Sequence, residues 1–99
     1  MSESEAVVTV VQDASKPEYD IVVDGEVVGS AQYVDDGDGV HRYTHTKIDP
    51  GHEGKGYAAT LVGAALDAER EAGHRIVAEC PYVASFVEKH PEYADLLAD

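Results

Sequence analysis

The sequence has one cysteine, few basic residues and no long apolar run. Because Cys80 is alone, an intrachain disulfide and a four-cysteine zinc site are excluded. No apolar run approaches the ~20 residues that a membrane-spanning helix needs. The acidic start, Met1–Glu5, lacks the apolar core of a signal peptide and is expected to be a disordered tail. These absences predict a cytoplasmic protein without a membrane partner.

Basic residues are scarce: the chain has seven Lys+Arg and twenty Asp+Glu, which gives a net charge of −13. A surface this acidic repels nucleic acids and anionic lipid, so a nucleic-acid partner is not expected. The acidity suits a basic partner, such as a small amine or a lysine side chain. The simpler interpretation is that it serves solubility, or reflects a salt-rich cytoplasm, and the sequence leaves both open.

The length of 99 residues predicts one domain, 1–99. β-Branched or alternating segments predict an antiparallel meander of four strands over Ala6–Val11, Tyr19–Val23, Glu26–Val34 and Val40–Ile48. Asp24-Gly25 is a strong two-residue hairpin signal, Gly29 is a candidate bulge, and residues 35–39 form a polar turn.

The pattern then changes to a helical spacing of apolar or small residues. These residues are Tyr57, Ala58, Leu61, Val62, Ala65 and Leu66. Gly73 stands where a helix ends, and Arg75–Glu79 predicts a strand parallel to the fourth. Pro81 and Pro91 each begin a short helix. The fold class is therefore α/β with a single mixed sheet.

The segment 49–58, Asp-Pro-Gly-His-Glu-Gly-Lys-Gly-Tyr-Ala, joins the fourth strand to the main helix. Three glycines at a helix N-terminus expose backbone N–H groups and predict a phosphate site, although a simple glycine turn remains the alternative. A Walker A loop is rejected, because the spacing is wrong and Gly56 replaces the Ser or Thr. The run 54–59 fits G-x-G-x-x-A, so a dinucleotide-binding fragment remains a weak alternative.

Three motifs together resemble a known family. The run His45-Thr-Lys-Ile-Asp-Pro50 followed by Glu53-Gly-Lys-Gly-Tyr-Ala58 is similar to the acetyl-CoA-binding region of GNAT-type N-acetyltransferases. Cys80-Pro-Tyr-Val83 and His90-Pro-Glu-Tyr93 are similar to signatures of the small, single-domain YjdJ-type subgroup. The resemblance covers roughly residues 19–97.

The resemblance implies a GNAT-like sheet that splays between its fourth and fifth strands, with acetyl-CoA in the gap. It implies that pantetheine pairs with backbone near Ile48 and that pyrophosphate rests on the amides of Gly54–Ala58. The cofactor-binding residues that it implies are Ile48, Glu53, Gly54, Lys55, Gly56, Tyr57, Ala58 and Tyr82. In two places the chain departs from the family pattern. Glu53 replaces the usual Gln or Arg, and Val87 stands where many relatives carry a tyrosine acid.

Cys80 is the first candidate catalytic residue. It precedes a helix N-terminus, whose positive potential favours the thiolate. A thiolate there would take the acetyl group from CoA and pass it to an amine. The alternative is that Cys80 is a small buried side chain that packs the strand end.

His45 is the second candidate, as a general base close to the acetyl group, and the alternative is a hydrogen-bonded histidine of the sheet. His41 and His45 lie four apart on a strand and are expected to share a face, but no third ligand has a convincing spacing, so no metal is expected. His52 and His74 are expected to be solvated loop residues. The leading hypothesis is an acetyl-CoA-dependent N-acetyltransferase, and the alternative is a CoA- or acyl-CoA-binding module with little turnover.

Overall fold

The computed structural model describes residues 7–98, which form one five-stranded sheet with helices. The strands are β1 (Val8–Gln12), β2 (Glu18–Val23), β3 (Glu26–Gly37), β4 (Val40–Ile48) and β5 (Arg75–Ala78). The helices are α1 (Tyr57–Ala72), α2 (Pro81–Lys89) and a C-terminal 3₁₀ helix (Pro91–Leu96). The sheet order is β1-β2-β3-β4-β5, antiparallel except for the parallel β4–β5 pair. The predicted meander and parallel fifth strand are confirmed, and the predicted tail lies outside the described residues.

Two tight turns connect the central strands. Asp24 and Gly25 have φ angles of 52° and 86°, and Asp38 and Gly39 have 57° and 75°. Two successive left-handed residues suit the right-handed twist of a hairpin. The first turn lies where the sequence predicts it. The second is shorter than predicted, because β3 continues pairing with β4 as far as Gly37.

One β-bulge lies in β3, close to its predicted position. Ile21 pairs with Gly29 and Val22 with Val27, so the unpaired residue is Val28 and not Gly29. Val28 is fully buried and uses the bulge to reach the core. Gly29 has a different role, because a Cβ there would lie 2.5 Å from Ile48 Cδ1. Its missing side chain lets β3 approach the end of β4.

The core lies between one face of the sheet and the helices. The predicted apolar stripe of α1 is confirmed from Leu61 to Leu66, and Gly73 ends the helix as predicted. Phe86 of α2 packs over Gly63 of α1, where a Cβ would make an ordinary contact at 3.5 Å from Phe86 Cζ. Within residues 7–98, no helix has the length and hydropathy that a membrane span requires.

The β4–β5 pairing is short, and this opens the sheet. Only Val40–Tyr43 pairs with β5, and the Cys80 N–H donates to the Tyr43 carbonyl at 2.8 Å. The chain then turns into α2, whereas β4 continues for five more residues to Ile48. Among residues 7–98, the edge of β4 that faces away from β3 therefore has no strand partner from Thr44 onward, at the place where the family resemblance implies that the sheet splays.

Candidate functional site

A glycine loop carries the chain from β4 to α1. Gly51, Gly54 and Gly56 all have left-handed φ angles, of 93°, 82° and 78°. An L-residue with a side chain is strained in this conformation. A Cβ built on any of the three meets no atom within 4 Å, so the space around the loop is open. The glycines are therefore needed for backbone conformation, and they leave room for a ligand.

The N-terminus of α1 is uncapped. Gly56 is its N-cap residue, no side chain caps the helix, and the first turn contains no acidic residue. The Thr60 N–H makes the first helical hydrogen bond, to the Gly56 carbonyl at 3.1 Å. Across residues 7–98, no protein acceptor takes a hydrogen bond from the backbone N–H groups of residues 54–59. These free donors and the positive end of the helix dipole form an anion site.

A cleft of about 250 Å³ lies against this helix end. It is lined by Ile48, His52, Glu53, Gly54, Gly56, Tyr57, Ala58, Ala59 and Tyr82. Seven of the eight cofactor-binding residues that the resemblance implies are thus brought together. Lys55 does not line the cleft, and no carboxylate of the described chain lies within 4.0 Å of its ammonium group.

His52 and Ala59 are additions to that set. His52 is a partly exposed loop residue, and its ring lies 6.3 Å from the Tyr57 ring at the wall of the cleft, which was not predicted. Its position between Gly51 and Gly54 could have indicated this, because a short glycine loop before a helix places its side chains close to the first turn of that helix.

Cys80 lies where β4 and β5 diverge. It is the N-cap residue of α2, its side chain is buried, and its Sγ lies 3.5 Å from Thr46 Oγ1. Thr46 was not identified from the sequence. It stands two residues before Ile48 on the same strand, so both side chains share a face and both adjoin the free edge of β4. Neither Cys80 nor Thr46 lines the cleft, but each lies two residues before a residue that does, Tyr82 and Ile48 respectively.

His45 lies on the other face of β4. Gln32 pairs with His45 and Tyr33 with Tyr43, so Thr44 is an extra residue that reverses the alternation of side chains along the strand. His45 is exposed, and its Nδ1 lies 3.2 Å from Thr44 Oγ1. His45 and Cys80 are consequently on opposite faces of β4.

The prediction that His41 and His45 share a face is wrong, because the extra residue Thr44 lies between them. His41 precedes the bulge, faces α1 and is buried. Its Nδ1 lies 2.8 Å from Glu69 Oε2, which also accepts a hydrogen bond from the Tyr43 hydroxyl at 2.6 Å. His74 Nδ1 lies 2.9 Å from Glu69 Oε1, so His74 is not a solvated loop residue as predicted.

Glu69 thus organises a buried network. Its carboxylate is fully buried, and both of its oxygens are used. Burial, reinforced by the hydrogen bond to Glu69, raises the pKa of Tyr43. Donor atoms of His41, Glu69 and His74 lie close enough for a metal, but hydrogen bonds already pair them with one another. The cluster is therefore self-sufficient, and it packs α1 and the chain beyond it onto β4.

A larger concavity, of about 1,080 Å³, lies elsewhere. Small and apolar side chains of α2 and the C-terminal segment line it, with Glu88 as its one titratable residue. The smaller cleft at the glycine loop is the better candidate site, because it adjoins the free backbone donors at the start of α1.

Comparisons with known proteins agree with this geometry. A family model described as "GCN5-related N-acetyl-transferase" matches residues 18–96. Among solved structures, the chain is similar to a GCN5-like N-acetyltransferase candidate from Staphylococcus aureus, studied by NMR in solution. That match has a TM-score of 0.69 and 21% identity, and it covers 91% of this chain and 87% of the other. At that identity the likeness concerns the fold. No curated protein matches significantly.

Proposed function

Because the chain belongs to the GCN5-related N-acetyltransferase family, we propose that it transfers an acetyl group from acetyl-CoA to an amine. The observation that carries the proposal is the cleft at the N-terminus of α1, where free backbone donors adjoin the unpaired edge of β4. A phosphate group and an extended amide chain need these two features side by side. The assignment to the YjdJ-type subgroup stays a prediction.

The pyrophosphate of acetyl-CoA would bind the N–H groups of Gly54–Ala58. Oriented amides at a helix N-terminus bind such anions without a counter-charge nearby. The pantetheine arm would lie along the free edge of β4 near Ile48, beyond the point where β5 ends. Tyr82 would form a wall of the cleft. This arrangement brings the thioester toward the point where β4 and β5 diverge.

Cys80 is the residue that we propose as acetyl carrier. Its sulfur would attack the thioester carbonyl, so that a new C–S bond forms at Cys80 while the CoA thiolate leaves. Thr46 Oγ1, 3.5 Å from the sulfur, is placed to donate a hydrogen bond to the thiolate. The acceptor amine then attacks the acetyl carbonyl, the Cys80 C–S bond breaks to give back the thiolate, and the amine proton passes to water.

The rival route is direct attack of the amine on acetyl-CoA. His45 favours it, because it lies on the face of β4 away from Cys80 and is exposed to an incoming acceptor. In that route Cys80 would only pack the strand end, which its burial also allows. The acceptor is a small amine or a lysine side chain in either case, and a protein of net charge −13 attracts both.

A second function is favoured by one observation. Val87, which stands where many relatives carry a tyrosine acid, is buried in the core, and no rearrangement of its side chain would supply a proton. A chain without that acid would serve as a CoA- or acyl-CoA-binding module with little turnover. Calorimetry with acetyl-CoA and CoA tests binding, and single-turnover transfer of labelled acetyl to an added amine separates the two functions.

Intact-mass spectrometry distinguishes the chemical routes. With acetyl-CoA and no acceptor, we expect an acetylated species that is absent in Cys80→Ala and is discharged by added amine. Cys80→Ala should lower the free energy of unfolding by only about 1 kcal/mol, because the thiol is a small buried group. Full multiple-turnover activity of Cys80→Ala would refute the covalent route, and loss of activity in His45→Gln alone would then support direct attack.

A further inference from the structure

Three carboxylates meet on the face of the sheet opposite to the core. Glu18 and Asp20 alternate along β2 with the core residues Tyr19 and Ile21, and Asp13 follows the end of β1 directly beside them. Carboxylate oxygens of Asp13, Glu18 and Asp20 all lie within 4.8 Å of one another. None of these residues lines the glycine-loop cleft, so the cluster is separate from the proposed acetyl-CoA site.

Two of the three residues in this cluster are buried. Glu18 and Asp20 are only 8% and 7% exposed, and Asp20 Oδ1 has no hydrogen-bond partner. In the part of the chain that the structure describes, no Lys, Arg or His nitrogen lies within 4.0 Å of the three carboxylates. A buried charge without a partner is costly.

Asp13 is held in place for a further contact. Its Oδ1 accepts hydrogen bonds from the Ser15 N–H, the Ser15 hydroxyl and the Lys16 N–H at 2.7, 2.8 and 3.1 Å. These bonds use one oxygen only, and within residues 7–98 no hydrogen bond occupies Oδ2. An oriented carboxylate thus stands beside the buried Asp20 carboxylate, one oxygen of which lacks a partner.

We propose that Asp13, Glu18 and Asp20 bind a calcium ion. Ca²⁺ takes carboxylate oxygens at 2.3–2.6 Å, so two opposed ligands lie about 4.8 Å apart, and oxygens within that span can share one ion. Mg²⁺ needs shorter distances and near-ideal octahedral geometry, which three side chains on a strand pair and a loop do not provide. The ion supplies the positive charge that the cluster lacks and ties the β1–β2 connection to the sheet.

Thermal unfolding with and without Ca²⁺ tests the proposal. At equal ionic strength set with NaCl, we expect CaCl₂ to raise the melting temperature of the wild type and MgCl₂ to raise it less. Asp20→Asn, which keeps the shape and removes the charge, should lose this Ca²⁺-dependent rise. Glu26→Gln is the matched control, because Glu26 is exposed on the adjoining strand and carries the same charge outside the cluster. The control should retain the rise.

Calorimetry with Ca²⁺ alone gives the direct measurement. We expect at least tenfold weaker binding to Asp20→Asn than to the control, and the same loss in Glu18→Gln, which is used if Asp20→Asn does not fold. Equal stabilisation of all variants would mean that Ca²⁺ only screens surface charge, and would overturn the site. Stabilisation of Asp20→Asn without any Ca²⁺ heat in the wild type would overturn it as well, because a shared proton would then hold the carboxyl pair.

Discussion

The two ends of α1 both carry a left-handed glycine, but the backbone groups are hydrogen-bonded at one end and free at the other. Gly56 before the helix and Gly73 after it have φ angles of 78° and 77°. At the C-terminal end the Gly73 N–H donates to the Arg70 carbonyl at 3.1 Å and the His74 N–H to the Glu69 carbonyl at 2.9 Å. At the N-terminal end the first backbone N–H groups of the helix have no acceptor within residues 7–98. A left-handed glycine thus bounds the helix at both ends, but only the N-terminal end has free backbone groups that could bind a ligand.

Side chains reinforce this contrast. At the closed end, the buried Glu69 carboxylate accepts from Tyr43 and contacts a nitrogen of both His41 and His74. At the open end, Glu53 and Lys55 are exposed, and neither caps the helix. The closed end should therefore determine stability, and the open end should determine ligand affinity.

The largest effect is expected at the closed end. Glu69→Gln removes a buried acceptor of three hydrogen bonds and places an amide donor toward two imidazoles and a hydroxyl. We expect a loss of about 3 kcal/mol in the free energy of unfolding, measured by urea titration. Glu71→Gln is the control, since Glu71 is exposed on the same helix and should change stability by less than about 0.5 kcal/mol. Similar losses in both variants would show that the network contributes nothing specific.

The glycine pair gives the next effect. Gly56→Val and Gly73→Val introduce the same strain at the same φ, so each should cost about 2 kcal/mol of stability. Only Gly56→Val should abolish acetyl-CoA binding, because it changes the loop that presents the free N–H groups. Calorimetry on both folded variants checks this. Unchanged affinity in folded Gly56→Val would remove the anion site from the glycine loop, and lost affinity in Gly73→Val would show a global effect.

The glycine at each end of α1 was predictable from the sequence, and the Glu69 network at the closed end was not. Glycine spacing and helix periodicity are local signals, so the glycine loop, the stripe from Leu61 to Leu66 and the end of the helix were predicted, whereas cofactor binding by residues 54–58 stays a prediction. Glu69 falls on the buried face of the helix, but it was missed because nothing in the sequence shows that His41, 28 positions away, pairs with it. The bulge at Thr44 was missed because strand periodicity assumes uninterrupted pairing. The acidic cluster was missed because Asp13 and Glu18 meet only through the β1–β2 connection.

The smallest effect concerns Glu53 at the open end. Glu53 lines the cleft beside the donors that would hold pyrophosphate, so its negative charge would lie near that of the phosphates. Glu53→Gln should tighten acetyl-CoA about twofold at low salt, since exposed charge pairs contribute roughly 0.5 kcal/mol. The gain should shrink as KCl approaches 1 M, where the Debye length is about 3 Å. Glu71→Gln, with the same change in net charge but near the other end of α1, should leave affinity nearly unchanged. If both variants tighten binding equally, the overall charge of −13 opposes the cofactor, and the position of Glu53 does not matter.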